Sequence, residues 1–430
     1  MIYKKNKNMK QYYLVIAVFA ILLQACDSVP SLELKNEMNF ARKDAPVVLK
    51  RELVAKIVGD IPSDKIPVVI DEEGNGISSQ LDDLDRDGQW DELVFVCDMD
   101  ASSLKHVELN FVDPAEAPGY TVRTNVRLGV GSIEDGFKGT DHAISPEGYT
   151  GVPVKFQAES VSWENDIMAF RNYFDCRNAK DLFGKLSPEM VMNKVGTKEV
   201  GSYHHLSDWG MDVLHVGPSL GAGGLALFHQ DSLYRLGNAD SFEFQLVSRG
   251  PVRSIFELNF EGWDVAGKKL KAQEKITVWA GKYWFQSDVT VSGLEKETEL
   301  AIGLVTSNLK ENKPFGFVAN KEFSAVATHG VQSMNKDYLG MGMLLSSDSK
   351  VRTGDAPILS AERMKGSRYH MPVGETHFVT QKIKNNQSAR HFVFAAWEAE
   401  NKDWSKQKNF ENLMKSQSEE LSSPVRVTVK

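Results

Sequence analysis

From Ala45 onward the chain carries short apolar runs, broken by Asp, Gly, Pro or Ser. APVVLKREL, KIPVVID, DELVFVCDM and KHVELNFVD are rich in Val, Ile and Phe and predict strands. No long helical periodicity separates them, which predicts a small antiparallel β unit ending near Val112-Asp113-Pro114.

Beyond about residue 118 the runs lengthen. YTVRTNVRLGV, VPVKFQAESVSWE, ELAIGLVT and HFVTQKIK read as strands, and RSIFELNF alternates as a strand with one wet face does. KLKAQEKITVWAG and KYWFQSDVTV predict a hairpin about Gly281, which tolerates positive φ. Helical patterning is sparse. DLFGKLSPEMVMNKV predicts one short helix. The spacing of Trp404, Phe410 and Leu413 predicts a surface helix before a last strand, VRVTV. The expected class is all-β with few helices: a small N-terminal antiparallel domain over 46–115, then a large sandwich over 116–430.

The N-terminus reads differently. A lysine-rich start and the apolar run YYLVIAVFAILLQA form a secretory signal over 1–25, too short for a confident membrane span. Leu23-Gln24-Ala25-Cys26 resembles the bacterial lipobox, which implies lipidation at Cys26, a tether over 26–45, and anchoring to the outer membrane. Cleavage would remove four lysines and take the net charge from −8 to −12. So acidic a chain without a basic stripe argues against a nucleic-acid partner. Cys97 and Cys176 read as small buried hydrophobes. The GAGG run at 221–224 lacks the Lys-Ser/Thr of a phosphate loop and leads into a strand, so no nucleotide cofactor is expected.

Three stretches carry candidate chemistry. In DLDRDGQWDEL, Asp83, Asp85, Asp87 and Asp91 fall at positions 1, 3, 5 and 9, with Gly88 at the turn and Gln89 able to add a backbone carbonyl. That pattern suits a structural calcium loop but not an EF-hand, since Val94 stands where the twelfth-position Glu belongs. A solvated acidic turn is the alternative. In GSYHHLSDWGMDVLHVG, His204 and His205 can act as acid or base and Tyr203 can give a proton. Trp209, Asp208 and Asp212 could hold a sugar. A zinc site from His204, His205 and His215 is disfavoured, because adjacent strand residues face opposite ways. In ENDIMAFRNYFDCRNAKDLFGK, alternation puts Arg171 and Tyr173 on one face, fit to hold a carboxylate, with Glu164 and Arg177 as further substrate contacts. An internal Arg–Asp ion pair is the alternative. Arg249, Arg253 and Arg368-Tyr369-His370 read as structural.

The stretch from Arg249, with its long strands and aromatic hairpin, resembles the galactose-mutarotase-like β-supersandwich of sugar epimerases, polysaccharide lyases and some glycoside hydrolases. Through Asp83–Leu93, Ala169–Lys185 and Tyr203–Leu227, nearly the whole chain resembles a family of bacterial lipoproteins catalogued as domain of unknown function 4861. The resemblance implies association with glycan breakdown and no particular reaction. The leading expectation is β-elimination on a uronate-containing glycan or oligosaccharide. Arg171 would neutralise the carboxylate, His204 or His205 take the proton, and Tyr203 protonate the leaving oxygen. Hydrolysis through two of Glu164, Asp175, Asp208 and Asp212, or epimerisation, is the second expectation. The third is a non-catalytic glycan binder with Trp163, Trp209, Trp263 and Trp284 as its platform.

Overall fold

The computed structural model describes residues 30–356 and 371–429. The signal segment, Cys26 and Arg368-Tyr369-His370 lie outside the described residues. The fold is all-β, as the apolar pattern predicts.

The small unit is two sheets. One runs in the order Arg426–Val429, Ser31–Lys35, Leu104–Val112, Ile66–Asp71, Gly76–Ile77, and the other Arg42–Lys50, Glu92–Met99, Ser79–Asp82. Leu34, Val47, Phe95 and Val107 fill the space between them. Two expectations are corrected here. Residues 31–45 are not a tether, because Leu32 and Leu34 are fully buried in a strand. The unit is not confined to 46–115, because the last strand of the chain pairs with Ser31–Lys35. APVVLKREL also does not continue as strand. Arg51–Val58 forms a helix, with Glu52 in its first turn and Lys56 in its last, each at the end its charge favours.

The large unit is a sandwich. A nine-stranded sheet, from His142–Ile144 at one edge to Phe315–Val318 at the other, faces two five-stranded sheets. One of these runs Gly210–Asp212, Lys180–Lys185, Met168–Tyr173, Ser160–Asn165, Thr124–Arg127. The other holds Ala222–His229, Thr298–Val305 and Thr376–Ile383 at its centre. A bridge between Lys180 and Gly221 joins the two. Alternation decides the core. Phe170 and Trp163 point inward and stack with centroids 5.7 Å apart, and Phe285 of the large sheet meets both edge-on. Each such buried side chain stabilises the fold by roughly 1.5–3 kcal/mol. The hairpin about Gly281 forms as expected, from Lys268–Trp279 and Trp284–Ser292.

The tail helix, Gln407–Ser422, forms where its spacing predicts and buries Phe410 and Met414 against the outer face of the large sheet. It can lie that close because Gly340 leaves room, where a Cβ would run into the Phe410 ring. No helix forms in DLFGKLSPEMVMNKV; Lys180–Lys185 is a strand and turns follow it. The units are joined by ion pairs, buried at Arg253 and half-buried at Arg123. Arg253 donates to Asp82 at 2.6 Å and to Glu92 at 2.7 Å, which bears out its structural reading, and Arg123 forks onto Asp44 at 2.6 and 2.9 Å.

Candidate active site on the outer face of a five-stranded sheet

The strand register assembles the site. Arg171 lies directly across from Asp181 in the neighbouring strand, and Tyr173 lies two residues along the same face. Asp212 comes from the next strand, opposite Phe183. That strand approaches closely because Gly210, at φ 128°, has no Cβ to strike the Gly184 carbonyl. The connection between Lys185 and Gly210 covers half of this face with Val191, Met192 and Val195 packed on Ala169 and Phe183. Where the cover ends, a cleft of about 630 Å³ opens, lined by Arg171, Tyr173, Arg177, Asp181, His204, Asp212 and His215.

At its floor Arg171 is buried, with 2% of its side chain exposed. Its Nε donates to Asp181 at 2.9 Å, and its Nη2 donates to Asp181 at 2.5 Å, Tyr173 at 2.9 Å and Asp212 at 3.1 Å. Its Nη1 donates to the Ala158 carbonyl at 3.2 Å and the Tyr203 hydroxyl at 3.1 Å. Burial opposes the guanidinium charge, but Asp181, Tyr173, Asp212 and Tyr203 outweigh it and keep Arg171 charged. Every nitrogen therefore has a protein partner, so the expectation that Arg171 grips a substrate carboxylate is corrected. It is the internal ion pair that the alternative described.

Two carboxylates face this one cation. Burial and the nearby Asp212 push Asp181 up to about 6. The Asp212 carboxylate, 3.4 Å from His204 Nδ1, raises the imidazole above its ordinary value, against the opposing effect of burial. Burial, reinforced by Asp181, holds Tyr173 well above the usual phenol range, and its hydroxyl donates to Asp181 at 3.1 Å. Tyr173 thus positions Asp181 rather than moving a proton itself.

His204 meets the solvent, whereas Tyr203 is half-buried against Phe183 beside the cleft. Their rings lie 4.3 Å apart, and the His204 side chain is 56% exposed. The backbone bond from Asp212 to the Tyr203 carbonyl, 2.8 Å, sets them over the buried ions. Arg177 stands at the rim with its guanidinium carbon 3.8 Å above the Tyr173 ring, held by Asp175 and by Glu159 at 3.3 Å. Its Nη1 has no hydrogen-bond partner among the described residues.

Several expected site residues lie elsewhere. His205 and Asp208 are exposed and outside the cleft, because the turn after His204 carries them away. Trp209 packs against Phe183 on the covered side. Glu164 is buried and accepts from Lys185, Asn125 and the amides of Val191 and Met192, so it anchors the covering connection. Trp163, Trp263 and Trp284 are core residues, and no aromatic platform results. Cys97 and Cys176 are unpaired and buried. Asp181 and His215 received no catalytic role from sequence. Strand alternation through Asp181-Leu182-Phe183 would have put Asp181 beside Arg171, had that stretch not been read as helix.

In the acidic turn, Asp83, Asp85 and Asp91 bring carboxylate oxygens within 4.8 Å of one another. Asp87 and Gln89 are not in that group; the Asp87 carboxylate caps the Gln89 amide at 2.7 Å. The donor set is oxygen-only and so fits a hard cation such as calcium.

Residues 34–427 match the family described as domain of unknown function DUF4861, and the chain belongs to that family. An uncharacterized protein, P7, of Formosa agariphila is 24% identical over 372 residues, 82% of each chain. Among solved structures, an alpha-mannosidase from Enterococcus faecalis is similar with TM-score 0.43 and 8% identity, over 94% of this chain and 46% of that one. A glycosyl hydrolase family 38 protein from the same organism gives 0.45 and 8%, over 94% and 48%. The chain spans about half the length of these two solved chains.

Proposed function

We propose that this member of the DUF4861 family is a carbohydrate-active enzyme that cleaves a uronate-containing glycan by β-elimination, with Tyr203 and His204 handling the protons. The observation that carries the reading is the pairing of an exposed imidazole and a half-buried phenol with two buried ions. Tyr203 accepts from Arg171, and His204 leans on Asp212. His204 takes the proton α to the carboxylate, while the Asp212 carboxylate steadies the imidazolium. The released electron pair forms the carbon–carbon double bond, the bond to the leaving oxygen breaks, and Tyr203 gives that oxygen its proton. Arg171, already saturated, stabilises the negative charge left on Tyr203. Neutralising the uronate passes to Arg177, whose Nη1 is available at the rim.

The test is ultraviolet absorbance of an unsaturated uronate, followed over a panel of uronate oligosaccharides. New absorbance with wild type, lost in Tyr203→Phe and in His204→Ala, is the expected result. Cleavage without absorbance would replace elimination by hydrolysis. The sign of the pH dependence tests the roles. As the base, His204 makes the rate climb with pH through a value above 6.5; a rate that falls there would make it the acid.

We propose two supporting features. Asp83, Asp85 and Asp91 hold calcium as a structural brace; calcium should raise the melting temperature of wild type and not of Asp85→Asn. Lipid on Cys26 anchors the protein in the outer membrane; labelled fatty acid should enter wild type and not Cys26→Ser.

A further inference from the structure

A second cleft, of about 1240 Å³, adjoins the first, and Met334 forms part of both. Hydrogen bonds tie the walls of the two together. The Met334 amide donates to the Val213 carbonyl at 2.8 Å, and Ser307 Oγ donates to the His215 carbonyl at 3.4 Å. On the far side Asn312 Nδ2 holds the His329 carbonyl at 2.7 Å. The second cleft is therefore a continuation of the first past His215.

Its chemistry is the reverse of its neighbour's. In the first cleft two arginines stand among Asp181, Asp212, Asp175 and Glu159, and their guanidinium groups bond those acids. The second is lined by Lys310 and Lys336, and neither ammonium has an ion-pair or hydrogen-bond partner among the described residues. Glu311 is the one acid on its wall among the described residues, and Asn308, Asn312 and Ser333 add amide and hydroxyl groups. A chain with an anion on successive sugars would find a cation for one of them at Arg177 and no surplus positive charge in the rest of the first cleft.

We infer that this second cleft is the subsite for the anionic substituents, carboxylates or sulfate esters, of an extended acidic sugar chain whose reacting residue sits at Tyr203 and His204. The inference rests on the acid–base reading above, and it makes the substrate an oligomer rather than a single sugar. Lys310 and Lys336 are binding residues and take no part in the chemistry.

The test is calorimetric binding with three probes of matched length: oligogalacturonate, dextran sulfate and neutral dextran. Each is titrated at low and high salt into wild type, Lys310→Glu/Lys336→Glu and Tyr203→Phe/His204→Ala. Wild type should bind at least one anionic probe more tightly than dextran, and less so at high salt. Charge reversal should weaken that binding by about tenfold or more, while Tyr203→Phe/His204→Ala should keep the preference for the anionic probe over dextran. A preference for oligogalacturonate assigns carboxylates, and one for dextran sulfate assigns sulfate esters. Equal binding by wild type and the lysine variant, or no preference over dextran, overturns the subsite. If the lysine variant loses binding but Tyr203→Phe/His204→Ala keeps wild-type turnover, the acid–base reading falls and the anionic subsite stands.

Discussion

Lys180 and Asp181 are neighbours in one strand, and each belongs to a buried polar cluster on its own side of the sheet. On the inner side Lys180 pairs with Glu274 at 2.9 Å, Ser287 donates to Glu274 at 2.6 Å, and Gln381 lies 3.4 Å from His391 Nδ1. On the outer side Asp181 and Asp212 share Arg171. Both clusters bury ions, so burial alone does not mark an active site. The difference is charge balance and access. The inner ion pair is one cation to one anion, sealed between sheets. The outer cluster sets one cation against two anions. Its excess charge is met by drawing protons onto Asp181 and onto His204, and His204 opens to water. Such a cluster keeps a movable proton next to solvent; the inner one does not.

The largest expected effect would break the inner pair. Lys180→Met leaves Glu274 buried without its cation and should cost about 3–5 kcal/mol in urea unfolding, whereas Lys180→Met/Glu274→Leu should regain most of it. A double variant no more stable than the single one would mean that the pair is not self-contained.

Next, the outer pair should separate activity from stability. Tyr203→Phe and His204→Ala should each lower turnover by about 10²–10⁴ and shift unfolding by less than about 1 kcal/mol. Lys180→Met/Glu274→Leu should keep its turnover. If that inner variant instead loses turnover and the outer ones do not, the two clusters have been assigned the wrong way round.

The pH dependence of stability should carry opposite signs in the two clusters. Burial, with Lys180 nearby, pushes His391 down to about 3, below its ordinary 6.5. The unfolded chain then takes a proton that the folded one refuses, so this contribution is lost as pH falls from about 6.5 toward 3. Asp181 is pushed up from 3.8 to about 6. Its contribution is present below 3.8 and is lost as pH rises toward 6. Each slope approaches about 1.4 kcal/mol per pH unit. His391→Gln should flatten the first and Asp181→Asn the second in denaturation curves between pH 4 and 7. The smallest effect belongs to His205→Ala, which should leave both stability and turnover within error, since its ring is exposed and outside the cleft.

Part of this contrast was legible in the chain. Period-two alternation placed Arg171 and Tyr173 on one face and Phe170 on the other, and that is how they lie. Tyr203 and His204 stood out by side-chain chemistry. Asp181 did not, because an apolar run ending in Ser-Pro-Glu-Met reads as helix as readily as strand. Glu164 was misplaced because a carboxylate that caps two distant backbone amides looks, in sequence, like any other acid.

By itself the sequence determined most of the strands, the hairpin about Gly281, the tail helix and the faces of the strands it recognised, since all of these follow from periods of two or about four residues. The tertiary structure decided that the first and last described strands close one sheet, that Arg171 is saturated by its own protein, and that His204 rather than His205 meets the buried aspartate. Those outcomes depend on which groups lie within a few ångströms across the fold and on how much water is left between them, and neither quantity has a local period to read.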